Sequence, residues 1–125
     1  MSAGDCGVCL GGYDGDGPEF SDARMVLARR EHKCYDCQRP IAPGIRYERV
    51  TGKWEGQFLS HAFCVDCVDI ATSLSCDGSR EFGNLWGEIE EYVFPALTTG
   101  CLAKLQTASA KAYLLERWRK WKGLP

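Results

Sequence analysis

No stretch of this 125-residue chain is both long and apolar enough to span a bilayer. Its longest uncharged run in the C-terminal half, Tyr92 to Ala103, falls short of the roughly 20 residues a spanning helix needs, and Pro95 and Gly100 interrupt it. No basic segment followed by an apolar run opens the chain, so we expect no secretory leader, no membrane partner and a reducing cytosol. The motifs of common hydrolases, nucleotide-binding loops and zinc deaminases are also missing. Asp14-Gly-Asp16-Gly hints at a calcium loop. It lacks the spaced third acid and the closing Glu, so it reads as a solvated turn. The chain is therefore expected not to be an enzyme and to take no small-molecule substrate.

The composition is that of a soluble globular chain, 45% hydrophobic and 26% charged, and the length suits one domain over 1–125. Three parts are distinguishable: an acidic, Gly-rich segment 1–22, a cysteine-bearing part 23–76 and a helical part 77–125. Charge is segregated. Residues 1–22 carry five acids and no base, 23–53 eight bases against three acids, 54–103 eight acids against Arg80, and 104–125 six bases against Glu116. The net charge of −2 does not demand a polyanionic partner, but a local basic patch remains open.

The abundant element is sulfur. Eight cysteines include three C-x-x-C pairs: Cys6 with Cys9, Cys34 with Cys37, and Cys64 with Cys67. Two thiolates three residues apart on a tight turn can face one tetrahedral ion at about 2.3 Å each, and two such pairs close a site. Cys34, Cys37, Cys64 and Cys67 form the best closed set for Zn2+. Between them Ile45–Thr51 alternates apolar and polar side chains, 52–56 supplies turn residues, and Gln57–Phe63 is a second strand. Val68, Ile70, Ala71 and Leu74 then recur at helical spacing. Knuckle, hairpin and a helix carrying the second pair make a treble-clef-like α+β module, with two further C-terminal helices expected.

Cys6, Cys9, Cys76 and Cys101 can form a second Zn2+ site; alternatively Cys76 and Cys101 are buried small hydrophobes. His32 and His61 could each replace a thiolate. A thiol–disulfide role for Cys64 and Cys67 is the enzymatic rival. Asn84 can cap a helix burying Leu85, Ile89, Tyr92 and Val93, and Cys101 follows Thr99-Gly100, read as a loop. Thr107 can cap a last helix whose Ala110, Leu114, Trp118 and Trp121 share one face. Candidate partner contacts are Trp54 at the hairpin tip and the cations Arg29, Arg30, Lys33, Arg46, Arg49 and Lys53. The basic segment 24–53, in which Arg24 and Arg39 join these six cations, supports nucleic-acid binding as the alternative reading.

The runs Ala28–Gly44, Tyr47–Gly56, Phe82–Trp86 and Leu97–Leu102 resemble a group of short zinc-binding accessory proteins of tailed bacteriophages and prophages. The resemblance spans about residues 5 to 123. It implies expression in the cytoplasm of an infected bacterium and metal binding by Cys34, Cys37, Cys64 and Cys67. Phage proteins of this kind suggest a partner among host proteins or nucleoprotein complexes, with an inhibitory effect, including on immune systems such as CRISPR–Cas.

Overall fold

Strand β4 (Arg46–Trp54) and strand β5 (Gln57–Cys64) make the hairpin expected from their alternation and turn residues. Only Glu55 and Gly56 connect them, at φ 49° and 81°. Positive φ at both positions gives a turn whose twist matches the strands. In the computed structural model, residues 3–11, 20–78, 80 and 82–125 are described, and the Asp14 and Asp16 turn lies outside them. Strand β1 (Phe20–Leu27) pairs antiparallel with the other edge of β4, giving the sheet order β1-β4-β5. Residue pattern gives no sign of β1, because Ser21 to Met25 are all exposed. Its order comes from the backbone ladder rather than from burial.

The central strand is covered on both faces. Tyr47 lies under His32, ring centroids 4.8 Å apart. On the opposite face Glu48 meets Arg80 at 2.6 Å, and both side chains are largely buried. Arg80 also sits 5.1 Å from the ring centres of both Phe63 and Phe82. A buried carboxylate in β4 is tolerated because its charge is paired.

Two short strands, β2 (His32–Lys33) and β3 (Pro40–Ile41), pair to close the loop that carries Cys34 and Cys37. Helix α1 (Val65–Ser73) starts directly after β5 and buries Cys67, Ile70 and Ala71. Helix α2 (Leu85–Glu88) runs on as a wider π turn, Ile89–Val93, and a 3-10 turn, Phe94–Ala96. This departs from the regular helix expected. Asn84 makes no side-chain capping bond, and Tyr92 is 56% exposed. The wider turn carries Ile89 and Val93 into the core and leaves Tyr92 outside.

Thr99 and Gly100, expected in a loop, open a short helix α3 (Thr99–Lys104), capped by Thr98. Helix α4 (Ala108–Lys122) is capped by Thr107 as expected and ends at Gly123, φ 75°. Ala110, Leu114 and Trp118 are buried on one face. Trp121, expected with them, is 42% exposed and leans on the Phe94 ring. One buried cluster joins Val8 and Leu10 with Ile70, Trp86 and Leu114. No helix among the described residues is long and apolar enough to cross a membrane.

Candidate metal centre

Two local structures bring four sulfurs together. In the first, the Cys34 N–H donates to the Arg39 carbonyl and the Gln38 N–H to the Cys34 carbonyl, both at 2.9 Å, with Gln38 at φ 66°. This tight turn points Cys34 and Cys37 to one side. In the second, Cys64 caps α1 and its sulfur accepts the Cys67 N–H at 3.4 Å. The Cys64 N–H donates to Cys34 Sγ at 3.3 Å, which ties the two turns together.

The sulfurs of Cys34, Cys37, Cys64 and Cys67 all lie within 4.8 Å of one another. Cys37 Sγ and Cys64 Sγ are 3.8 Å apart. A tetrahedron of sulfurs about 2.3 Å from its centre has edges of about 3.8 Å, so this spacing fits a four-coordinate soft metal ion. Cys34 and Cys67 have no exposed surface. Four thiolates around a divalent ion carry a net double negative charge, and the surroundings answer it. Arg39 donates to Cys64 Sγ at 3.5 Å and to Asp66 at 3.0 Å. Trp86 Nε1 donates to Cys67 Sγ at 3.4 Å. The Arg39 guanidinium lies 3.5 Å from the Tyr113 ring centre, and Arg117 lies 4.0 Å from that of Trp86.

Within the sulfur cluster each thiol shifts its neighbours. Contact with Cys37 pushes the Cys34 thiol up, but contacts with Cys64 and Cys67 pull it down, leaving it at about 7. Cys37 is pulled far below the ordinary thiol range by Cys34, Cys64 and Cys67, and Cys64 and Cys67 are pushed well above it by their sulfur neighbours. Bare sulfurs packed this closely cannot all ionise; a cation at their centre removes the conflict. Burial pushes the Tyr113 hydroxyl up to about 12, against the pull of Arg117.

Arg39, expected only as a cation of the basic 24–53 segment, and Trp86, expected nowhere at the site, both donate to the sulfur cluster. Arg39 lies five residues past Cys34 and so is near the site in sequence. Trp86 arrives from a helix 19 residues beyond Cys67, with no local signal. We expect Trp86→Phe to lower metal affinity by about tenfold, since groups that bond to metal ligands have effects of this order. Competition with a chromophoric chelator measures it.

His32 and His61 stand outside the four-sulfur cluster. His32 Nε2 is 3.3 Å from the Tyr47 hydroxyl, and His61 stacks on Tyr35 at 4.0 Å. Cys6, Cys9, Cys76 and Cys101 are also brought together pairwise, as disulfides Cys6–Cys101 and Cys9–Cys76. Among the candidate contact residues, Arg29, Arg30 and Arg49 line one open cleft of about 1030 Å³ with His32, Tyr47 and Ser60. Lys33 and Arg46 are exposed, while Lys53 and Trp54 sit at the hairpin tip, outside that lining. There Lys53 Nζ lies 5.5 Å from the Phe58 ring centre, and Trp54 packs back on Phe82 and His61.

No protein-family model, curated protein or solved structure matches this chain.

Proposed function

We propose that this protein is a non-enzymatic binding module, held in a treble-clef-like form by Zn2+ at Cys34, Cys37, Cys64 and Cys67, that takes nucleic acid into the Arg29–Arg30–Arg49 cleft. The donor chemistry supports zinc. Four thiolates make a closed tetrahedral site with no open position for a reacting group. The gathering of Cys64 and Cys67 with Cys34 and Cys37 into one four-sulfur cluster favours metal binding over the thiol–disulfide reading, because thiolates held by an ion are not free for exchange.

The cleft carries the proposal. Two other cations of the basic block are ion-paired: Arg39 with Asp66, and Arg24 with Asp22 at the surface. Arg29, Arg30 and Arg49 make no ion pair among the described residues, and all three are exposed at one concave surface. Arg49 is oriented by donating to Ser60 at 3.2 Å. Unpaired guanidinium groups converging on a cleft suit phosphate oxygens.

Fluorescence anisotropy with labelled DNA and RNA tests the reading. Affinity should fall steeply with salt, and the triple variant R29A/R30A/R49A should reduce the log–log slope by about 3 on duplex DNA. Unchanged binding by the triple variant, or none by the native chain at low salt, would sink it. A host nucleoprotein offers the same phosphates to this cleft, so the phage-accessory reading shares its first contact. Co-purification from bacterial lysate with and without nuclease separates free nucleic acid from a protein-held one.

A further inference from the structure

We infer that Cys6, Cys9, Cys76 and Cys101 form a second metal centre, a tetrathiolate for a soft divalent cation such as Zn2+, whose oxidised form is the pair of disulfides Cys6–Cys101 and Cys9–Cys76.

The segment 3–11 has little core of its own; only Val8 and Leu10 are buried. Backbone bonds nonetheless fix it at both ends. Gly100 N–H donates to the Gly4 carbonyl at 3.0 Å, and Leu10 N–H donates to the Leu74 carbonyl at 2.9 Å. The Thr98 hydroxyl reaches the Asp5 carbonyl at 3.3 Å. At Gly100 the approach is so close that a Cβ would collide with the Gly4 carbonyl oxygen. One end therefore sets Cys6 against Cys101 in α3, with Cα atoms 4.7 Å apart. The other sets Cys9 against Cys76 just beyond α1, with Cα atoms 5.2 Å apart.

The partners lie 95 and 67 residues along the chain, yet both meet a single C-x-x-C turn. Three residues of chain keep the Cα atoms of Cys6 and Cys9 within about 10 Å. Two independent disulfides have no need of that spacing, whereas a tetrahedral ion does. In a reducing medium the solvent-accessible Cys9–Cys76 bond opens. Four thiols anchored around one turn then face a metal.

The two forms differ by four electrons. Two peroxide molecules take them up: two S–S bonds form from four thiolates, the Zn2+ ion leaves, and with four protons the peroxide oxygens depart as four waters.

The test is metal analysis of the full chain purified under reductant. We expect two zinc ions per chain and eight titratable thiols after denaturation. Cys9→Ser and Cys76→Ser, both at exposed positions, should each hold one ion while the thiolate-to-cobalt absorption of the cobalt-loaded Cys34 cluster persists. Adding two equivalents of hydrogen peroxide to the native chain should release one ion, and peptide mapping should recover the 6–101 and 9–76 links. One ion per reduced native chain, with Cys6, Cys9, Cys76 and Cys101 open to alkylation, overturns the inference. So does persistence of the two disulfides in reductant.

Discussion

Stripping metal from the reduced protein with a strong chelator is expected to unfold it, with loss of far-UV circular dichroism and of any cooperative melt. The reason is magnitude. A structural zinc site contributes on the order of 10 kcal/mol of apparent folding free energy at neutral pH, and an entire domain is stable by only about 5–15 kcal/mol. Little apolar packing substitutes for the ion at this place. The loop between β2 and β3 is held by two residue pairs, His32 with Ile41 and Lys33 with Pro40. Cys34 and Cys67 are themselves fully buried members of the core, so losing the ion leaves competing thiolates inside it. The damage should spread to the C-terminal helices, because α1 carries Cys67 on one side and is bonded to α4 on the other. Cys67→Ser should resemble the chelated protein even in excess zinc. A chelated chain that keeps its dichroism and melts cooperatively would show that hydrophobic burial alone holds the fold.

The parts of this architecture visible in the residues are those where chemistry imposes a local spacing. Two thiolates three residues apart on one turn can face a single ion, so the pairs Cys34 with Cys37 and Cys64 with Cys67 stand out before any fold is known. The β4–β5 hairpin is readable because its alternation has period two and Gly56 suits the turn. Thr107 announces α4 because an N-cap needs a short hydroxyl side chain. What escapes the residues depends on distant partners. Strand β1 exists because β4 has an edge to offer. The π turn at Ile89–Val93 keeps those two residues in the core and turns Tyr92 outward, which depends on what packs against it. Four leftover cysteines allow three pairings, and only the positions of Gly4 against Gly100 and of Leu10 against Leu74 choose among them. That Arg29, Arg30 and Arg49 make no ion pair among the described residues follows from the positions of the acids in space, which charge counts along the chain do not give.

Asp69 is the clearest case of a distant partner redefining a residue, and replacing it is expected to cost about 4 kcal/mol. In sequence it is one more acid in an acidic stretch. In the fold it is buried, and its carboxylate accepts the backbone N–H of Gln106 and of Thr107 at 2.9 Å, the Thr107 hydroxyl at 3.0 Å and the Ser73 hydroxyl at 2.7 Å. It thus ties α1 to the start of α4, where negative charge is favoured by the helix dipole. Asp69→Ala leaves those donors without their acceptor, and thermal unfolding of the metal-loaded protein should fall by roughly 15 °C. Asp66→Ala should cost less, about 1 kcal/mol, since Arg39, its ion-pair partner, is partly exposed. The effect of Asp69 should also depend on pH. Burial alone would raise its carboxyl. The bonds from Gln106, Ser73 and Thr107 outweigh burial and hold it below the ordinary 3.8. A carboxyl lowered in the folded state contributes stability that is fully present above its unfolded value and is lost as pH falls through the folded one. The stability difference between native protein and Asp69→Asn should therefore be flat near neutrality and shrink below about pH 4. Protonation of the metal-bound thiolates affects both proteins alike and cancels in that difference. A gap that stays constant down to the acid limit would mean that Asp69 acts through packing rather than through its charge.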